Sequence, residues 1–221
     1  MEILNEHITN LLTHLPSAVT LVAVTKTRPV SVLQQAYDAG LRDFGENRVQ
    51  EMIQKQEVLP ADIRWHQIGH LQTNKVKYIA PFVHLIHSID SLKLLEETDR
   101  QARKNNRVID CLLQVYIATE ESKFGFEPDE LLALLGSGAA MSLPGIRVRG
   151  LMGMASFSDD QALVRREFSG LKQLFDQVKS QFHQALPDFN ILSMGMSGDY
   201  QLAIEEGSTM VRIGTALFGE R

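Results

Sequence analysis

Cysteine is almost missing. Cys111 is the only one in 221 residues, so no disulfide can close within the chain and no Cys-based zinc motif exists. No apolar run approaches the ~18 residues a membrane-spanning helix needs. The opening residues, Met1-Glu2-Ile3-Leu4-Asn5-Glu6, have neither the basic nor the apolar region of a secretory signal. There is no block of Lys or Arg, and 22 basic residues against 27 acidic ones leave a net charge of −5. That balance lacks the electrostatic footprint of a nucleic-acid binder. No Gly-x-Gly-x-x-Gly follows the first apolar run, which counts against a dinucleotide-binding sheet. With 44% hydrophobic residues the chain has ample material for a core, which excludes disordered and fibrous classes. The expectation is a compact cytoplasmic protein with no membrane or nucleic-acid partner.

What is present is alternation. Ile3, Leu4, Ile8, Leu11, Leu12 and Leu15 recur at helical spacing ahead of Pro16. Val19–Val24 then forms a β-branched run without polar alternation, the pattern of a strand covered on both faces. A helix follows Pro29 and closes at Gly40, a plausible C′ glycine. Further strands are expected at 43–45, 64–68, 83–87, 110–117, 146–152, 189–193 and 209–213. Helices are expected after Asn47, which is placed to cap one, and at 73–80, 91–104, 128–136, 159–185 and from about Gly198. Asp90 or Ser91 is the expected cap of the 91–104 helix. Eight strands, nearly all followed by a helix, predict an α/β fold with a parallel sheet. The size suits a single closed (β/α)8 barrel over residues 1–221 with an extra N-terminal helix. An open doubly wound sheet is the structural competitor.

In such a barrel, chemistry sits at the C-terminal ends of the strands. Lys26 leaves the first strand there, where desolvation favours a nucleophilic amine; the alternative is a head that snorkels to solvent. After the seventh strand runs Ser193-Met194-Gly195-Met196-Ser197-Gly198-Asp199, and after the eighth Val211-Arg212-Ile213-Gly214-Thr215. Loops at these two positions form the habitual phosphate site of the architecture. Ser197 and Thr215 add hydroxyls, while Gly198 and Gly214 let backbone approach an anion. Ser197 as a simple helix cap is the alternative. An amine facing a phosphate cradle describes pyridoxal 5′-phosphate (PLP), with Arg212 as partner of its pyridine nitrogen. A fixed cation there disfavours protonating that nitrogen and limits carbanion chemistry. A rim carboxylate such as Asp199 is the competing partner for Arg212.

The histidines suggest no metal. His66 and His70 are four apart but flank Gln67-Ile68-Gly69 rather than forming a His-Glu-x-x-His helix. His84 and His87 belong to the next strand, and no cysteine cluster accompanies them. Cys111 heads an apolar run and reads as a buried, inert thiol. Lys123 sits in a loop after the fifth strand, within reach of a ligand.

Several ordered stretches carry a stronger signal. They are Ala23-Val24-Thr25-Lys26-Thr27, Phe44-Gly45-Glu46-Asn47-Arg48-Val49-Gln50-Glu51, and Trp65-His66-Gln67-Ile68-Gly69-His70-Leu71-Gln72-Thr73-Asn74-Lys75. Glu120-Glu121-Ser122-Lys123, Ser193–Ser197 and Met210–Gly219 extend the set. Together they resemble the pyridoxal phosphate homeostasis proteins, relatives of the N-terminal barrel of alanine racemase, over nearly the whole chain. The resemblance implies a barrel with PLP held as a Schiff base on Lys26. It implies Ser197, Gly214 and Thr215 at the phosphate, Arg212 near the pyridine nitrogen and Asn47 beside the ring. It further implies PLP buffering without catalysis, apo PLP-dependent enzymes as recipients, and a monomer lacking the racemase's second, all-β domain. Low-level amino-acid racemisation and a cofactor-free Schiff-base aldolase are the alternatives. One departure is Tyr116, where the family usually has Asn at the end of strand five; here it implies no polar contact from that strand.

Overall fold

The computed structural model describes residues 2–118 and 124–220. The elements run α1 (Glu2–His14), β1 (Thr20–Val24), α2 (Val30–Asp38), β2 (Asp43–Glu46), α3 (Val49–Gln56) and β3 (Arg64–Gln67). A 3-10 turn at Thr73–Lys75 leads into α4 (Val76–Ile79), β4 (Leu85–Ile89), α5 (Leu92–Lys104), β5 (Ile109–Gln114) and α6 (Pro128–Gly136). A second 3-10 turn at Ala140–Ser142 precedes β6 (Ile146–Met152), α7 (Gln161–Gln181), β7 (Ile191–Ser193), α8 (Tyr200–Glu205), β8 (Met210–Ile213) and α9 (Thr215–Phe218). All eight strands are parallel and close in sequence order, with β8 returning to β1 in the register Thr20↔Met210 to Ala23↔Ile213. The open doubly wound sheet is excluded. Among the described residues no helix is long and apolar enough to cross a membrane.

The strand sequences explain the layers. Side chains alternate across a strand, so Ala23, Phe44, Trp65, Ile86, Leu113, Leu151, Leu192 and Val211 face outward into the core beneath the helices. The helices return their own stripes: on α7, Val164, Phe168, Leu171, Phe175 and Val178 are buried. Each such side chain contributes about 1.5–3 kcal/mol. Inward-facing Val22, Leu85, Leu112, Met152 and Met210 form a second, small apolar cluster inside the barrel. Ile191 packs against it, and four polar residues, His66, His87, Ser193 and Arg212, are buried at inward positions nearby.

Boundaries differ from expectation for local reasons. The fourth strand starts at Leu85 rather than 83, because the Val83 N–H closes α4 on the Ile79 carbonyl. The fifth stops at Gln114, because Val115 and Tyr116 turn to pair with Phe126. The longest helix spans 161–181 rather than 159–185. Asp160 caps its start by accepting from the Ala162 and Leu163 N–H groups, and beyond Phe182 the chain turns onto that residue's carbonyl. Ser91 caps α5, accepting from the Leu94 N–H, as one of the two expected caps. Asn47 does not cap α3; Arg48 holds that position, and its side chain makes no capping bond.

Candidate functional site

Lys26 stands two residues past the end of β1, in a turn fixed from below. The Lys55 ammonium donates to the Thr25 carbonyl (2.8 Å), Glu46 Oε1 (2.7 Å) and Glu51 Oε1 (2.7 Å). Thr25 Oγ1 donates to Glu46 Oε1 (2.6 Å), and the Thr27 N–H donates to Glu51 Oε1 (2.6 Å). Thr27 adopts φ +63°, an unusual conformation for a β-branched residue. Both flanks of Lys26 are thus bound to one buried ionic cluster. Burial pushes the Glu46 carboxyl up, against the hydrogen bonds from Lys55 and Thr25. The Lys26 amine makes no hydrogen bond or ion pair among the described residues, and it opens on a cavity of about 650 Å³.

Arg212 forms the opposite wall. Arg212 is 3% exposed. Nη1 donates to the Ser193 carbonyl (2.9 Å) and Ser193 Oγ (2.7 Å), and Nη2 donates to the Gly153 carbonyl (3.0 Å). Among the described residues Asp199 is in no salt-bridge contact; its Oδ1 accepts from the Met196 N–H at 2.5 Å. Burial draws the Arg212 pKa down to about 10, with Asp199 acting in the other direction, so the group stays cationic at neutral pH. A buried cation touching only neutral oxygens is costly. Nε–H and one Nη2 proton are left over for an acceptor in the cavity.

The third wall is the pair of loops after β7 and β8. Ser197 Oγ accepts from the Gly214 N–H (3.1 Å) and the Ala216 N–H (3.3 Å), so two backbone donors converge on one oxygen. Ser197 is therefore not the cap of α8, which begins at Tyr200 after Asp199. A Cβ on Gly214 would stand 3.3 Å from Val24 Cβ, so that loop packs closely on β1. Gly198 faces open space. Gly195 is obligatory: φ is +95°, and a Cβ would meet Ala203 Cβ at 2.6 Å.

All seven residues singled out from the sequence line this one cavity: Lys26, Asn47, Ser197, Gly198, Arg212, Gly214 and Thr215. Asn47 is held through its carbonyl, which accepts from Gln67 Nε2 (3.0 Å) and lies 2.6 Å from where a Gly69 Cβ would be. Sequence reasoning missed three other contributors: Gln114, His70 and the ionic cluster beneath Lys26. Gln114 lines the cavity from the end of β5 and donates to the Phe124 carbonyl (3.1 Å). Tyr116, taken as the end of that strand, lies beyond it and lines a separate surface groove with Arg166 and Leu171. His70 joins the lining, paired with Asp90 (3.2 Å) and packed on Phe124. The anchoring cluster under Lys26 was also missed, although Glu51 and Lys55 stand at i,i+4 spacing. Lys123 and the rest of 120–123 lie outside the described residues.

The histidines converge more than their spacing in the sequence suggests. Ligand atoms of Asp43, His66 and His84 lie within 4.8 Å of one another at the opposite rim. Arg64 already holds both Asp43 oxygens (2.7 and 2.5 Å). Cys111 is buried, and burial pushes its thiol up, so it is inert as expected.

Comparison with known proteins bears directly on this cavity. The family model described as "Alanine racemase, N-terminal domain" matches residues 2–221. The pyridoxal phosphate homeostasis protein of Aquifex aeolicus is 46% identical over 202 residues, 91% of this chain and 86% of that one. The chain belongs to that family. Two solved structures of a family relative, PipY of Synechococcus elongatus, have the same fold. The one without PLP gives a TM-score of 0.91 at 39% identity, covering 98% of this chain and 100% of PipY. The one with PLP bound gives 0.86 at 37% identity, with the same coverage. The family's barrel and its PLP-carrying member thus match this chain from end to end.

Proposed function

We propose that this chain binds PLP in the cavity between Lys26 and Arg212, as a reservoir from which apo PLP-dependent enzymes are supplied. The observation that carries the reading is the buried Arg212 cation, which among the described residues has no carboxylate in contact and two N–H groups to spare. The remaining walls suit the same molecule. Lys26 offers an amine with no competing partner among the described residues, and the Gly214 and Ala216 N–H groups with Ser197 and Thr215 suit an anion. When bound, PLP would supply an aldehyde that the Lys26 amine would hold as a Schiff base, one water being released.

The chain's own residues do the rest. The Lys55 cluster fixes where the amine emerges. Arg212 would face the ring nitrogen and, as a cation, would oppose its protonation. Storage rather than turnover is supported by that cation and by the homeostasis name the relatives bear.

Borohydride reduction followed by peptide mapping tests the proposal. A PLP adduct on Lys26 is expected, with no fixed chromophore in the Lys26→Ala variant. An adduct on another lysine, or an unchanged absorption band in the variant, would refute the assignment. Chiral chromatography after incubation with L-alanine tests storage; steady turnover at 1 s⁻¹ or more, on the order of ordinary enzymes, would replace it with a racemase.

A further inference from the structure

Inside the barrel, a continuous line of hydrogen bonds joins the two rims. Arg212 Nη1 donates to Ser193 Oγ (2.7 Å), Ser193 Oγ lies 3.1 Å from His87 Nδ1, His87 Nε2 lies 2.9 Å from His66 Nδ1, and His66 Nε2 lies 3.0 Å from Asp43 Oδ1. The four inner members are inward-facing residues of β8, β7, β4 and β3, and all are buried. Asp43 begins β2 at the rim away from the cavity.

The ends dictate the direction. A guanidinium only donates, and an ionised carboxylate only accepts. Burial works against ionisation of Asp43, but hydrogen bonds from Arg64 and His66 outweigh it and hold the carboxyl well below the usual range. Burial, with His66, Arg212 and His84 nearby, pushes His87 well below its ordinary value, so that ring carries a single proton. When each of the two rings carries one proton, only one assignment satisfies every contact. His66 donates from Nε2 to Asp43, His87 donates from Nε2 to His66, and the Ser193 hydroxyl donates to His87. The Ser193 lone pairs then face Arg212. Were His87 protonated on Nδ1 instead, His66 would need its proton on Nδ1 and would present a lone pair to the carboxylate.

We propose that Asp43, His66, His87 and Ser193 are positioning residues: a one-way relay, set by the carboxylate at one rim, that orients the Ser193 hydroxyl and through it the Arg212 guanidinium in the cavity at the other. The relay deepens the PLP reading, since what Arg212 faces is the ring nitrogen of that molecule. Its core is a property of the protein alone. The same feature explains why these polar groups occupy barrel positions that elsewhere hold Val22, Leu85 and Met210: buried polar groups persist when every donor and acceptor is satisfied.

Histidine ¹⁵N NMR on the protein without PLP is the test, at a pH about 2 units above the ordinary histidine value of ~6.5. Both His66 and His87 are expected as pure Nε2–H tautomers. Asp43→Ala removes the terminal acceptor and should turn His87, a residue it does not touch, into a tautomer mixture. Arg64→Ala breaks the same rim ion pair but keeps the acceptor, and should leave His87 unchanged. In PLP-loaded protein, the long-wavelength absorption band is expected to move in Asp43→Ala and to stay in Arg64→Ala. A wild-type His87 on Nδ1, a His87 indifferent to Asp43→Ala, or a band that responds equally to both variants would overturn the relay. Because the tautomers are read without PLP, failure of PLP to bind would leave that arm standing, and the two readings fail separately.

Discussion

Lys55→Met is expected to lower folding stability by about 3–5 kcal/mol, the cost of leaving a buried charge without its partner. Lys55 is buried, and its ammonium is the counter-ion of Glu46, which is fully buried, as well as a donor to the Thr25 carbonyl. Methionine fills the same space but offers no proton. In a domain of this size, the thermal midpoint should fall by on the order of 10 °C. The sign of the pH dependence follows from Glu46, whose pKa burial already raises above 4.5. A raised acid is protonated in the folded state first. Its stabilising contribution is therefore fully present below 4.5 and is lost as pH rises through the folded-state value. Losing Lys55 raises that value further, so the deficit should be large at neutral pH and shrink toward pH 4.5. Urea titrations across this window measure it. Adding Glu46→Gln to Lys55→Met should restore part of the loss, because a neutral amide needs no counter-ion. A deficit independent of pH, or an additive double variant, would assign the loss to packing instead.

Saturating PLP should raise stability by about 2.7 kcal/mol at a hundredfold excess over its dissociation constant, through linkage to the folded state alone. The corresponding rise in thermal midpoint is about 5–10 °C. Lys26→Ala should lose most of that rise. It should also leave the PLP-free protein within about 0.5 kcal/mol of wild type, since the Lys26 amine bonds to nothing among the described residues. The variant therefore separates binding from folding. An undiminished rise in Lys26→Ala would mean that PLP stabilises the chain without that amine.

The barrel was legible because most of its strands, such as β1, β4 and β5, are short apolar runs at regular spacing followed by a helical stripe, although β2 and β3 are mixed polar segments. The rim rule then placed Lys26 and the two terminal loops without further information. Element ends were harder, since they depend on bonds between distant carbonyls and N–H groups. Gln114 became the end of β5 only because Val115 and Tyr116 pair with Phe126 after the chain turns back. The polar interior was not legible at all. His66, His87 and Ser193 are separated by 21 and 106 positions in the chain and share a line only once the barrel closes. The cluster beneath Lys26 gave one clue, the i,i+4 spacing of Glu51 and Lys55. Glu46, the last residue of β2, acquires its meaning from burial that no local pattern records.

The seam between β1 and β8 sets an order of events during synthesis. Lys26 emerges from the ribosome early and Arg212 late, and the Arg28 side chain also reaches across 191 positions to the Gly219 carbonyl. Contacts of such separation form only after the intervening chain has been delivered. The first strand must therefore wait, one edge unpaired, until β8 has been translated. A nascent chain that stops short of residue 210 lacks the Arg212, Gly214 and Thr215 walls of the cavity along with the seam.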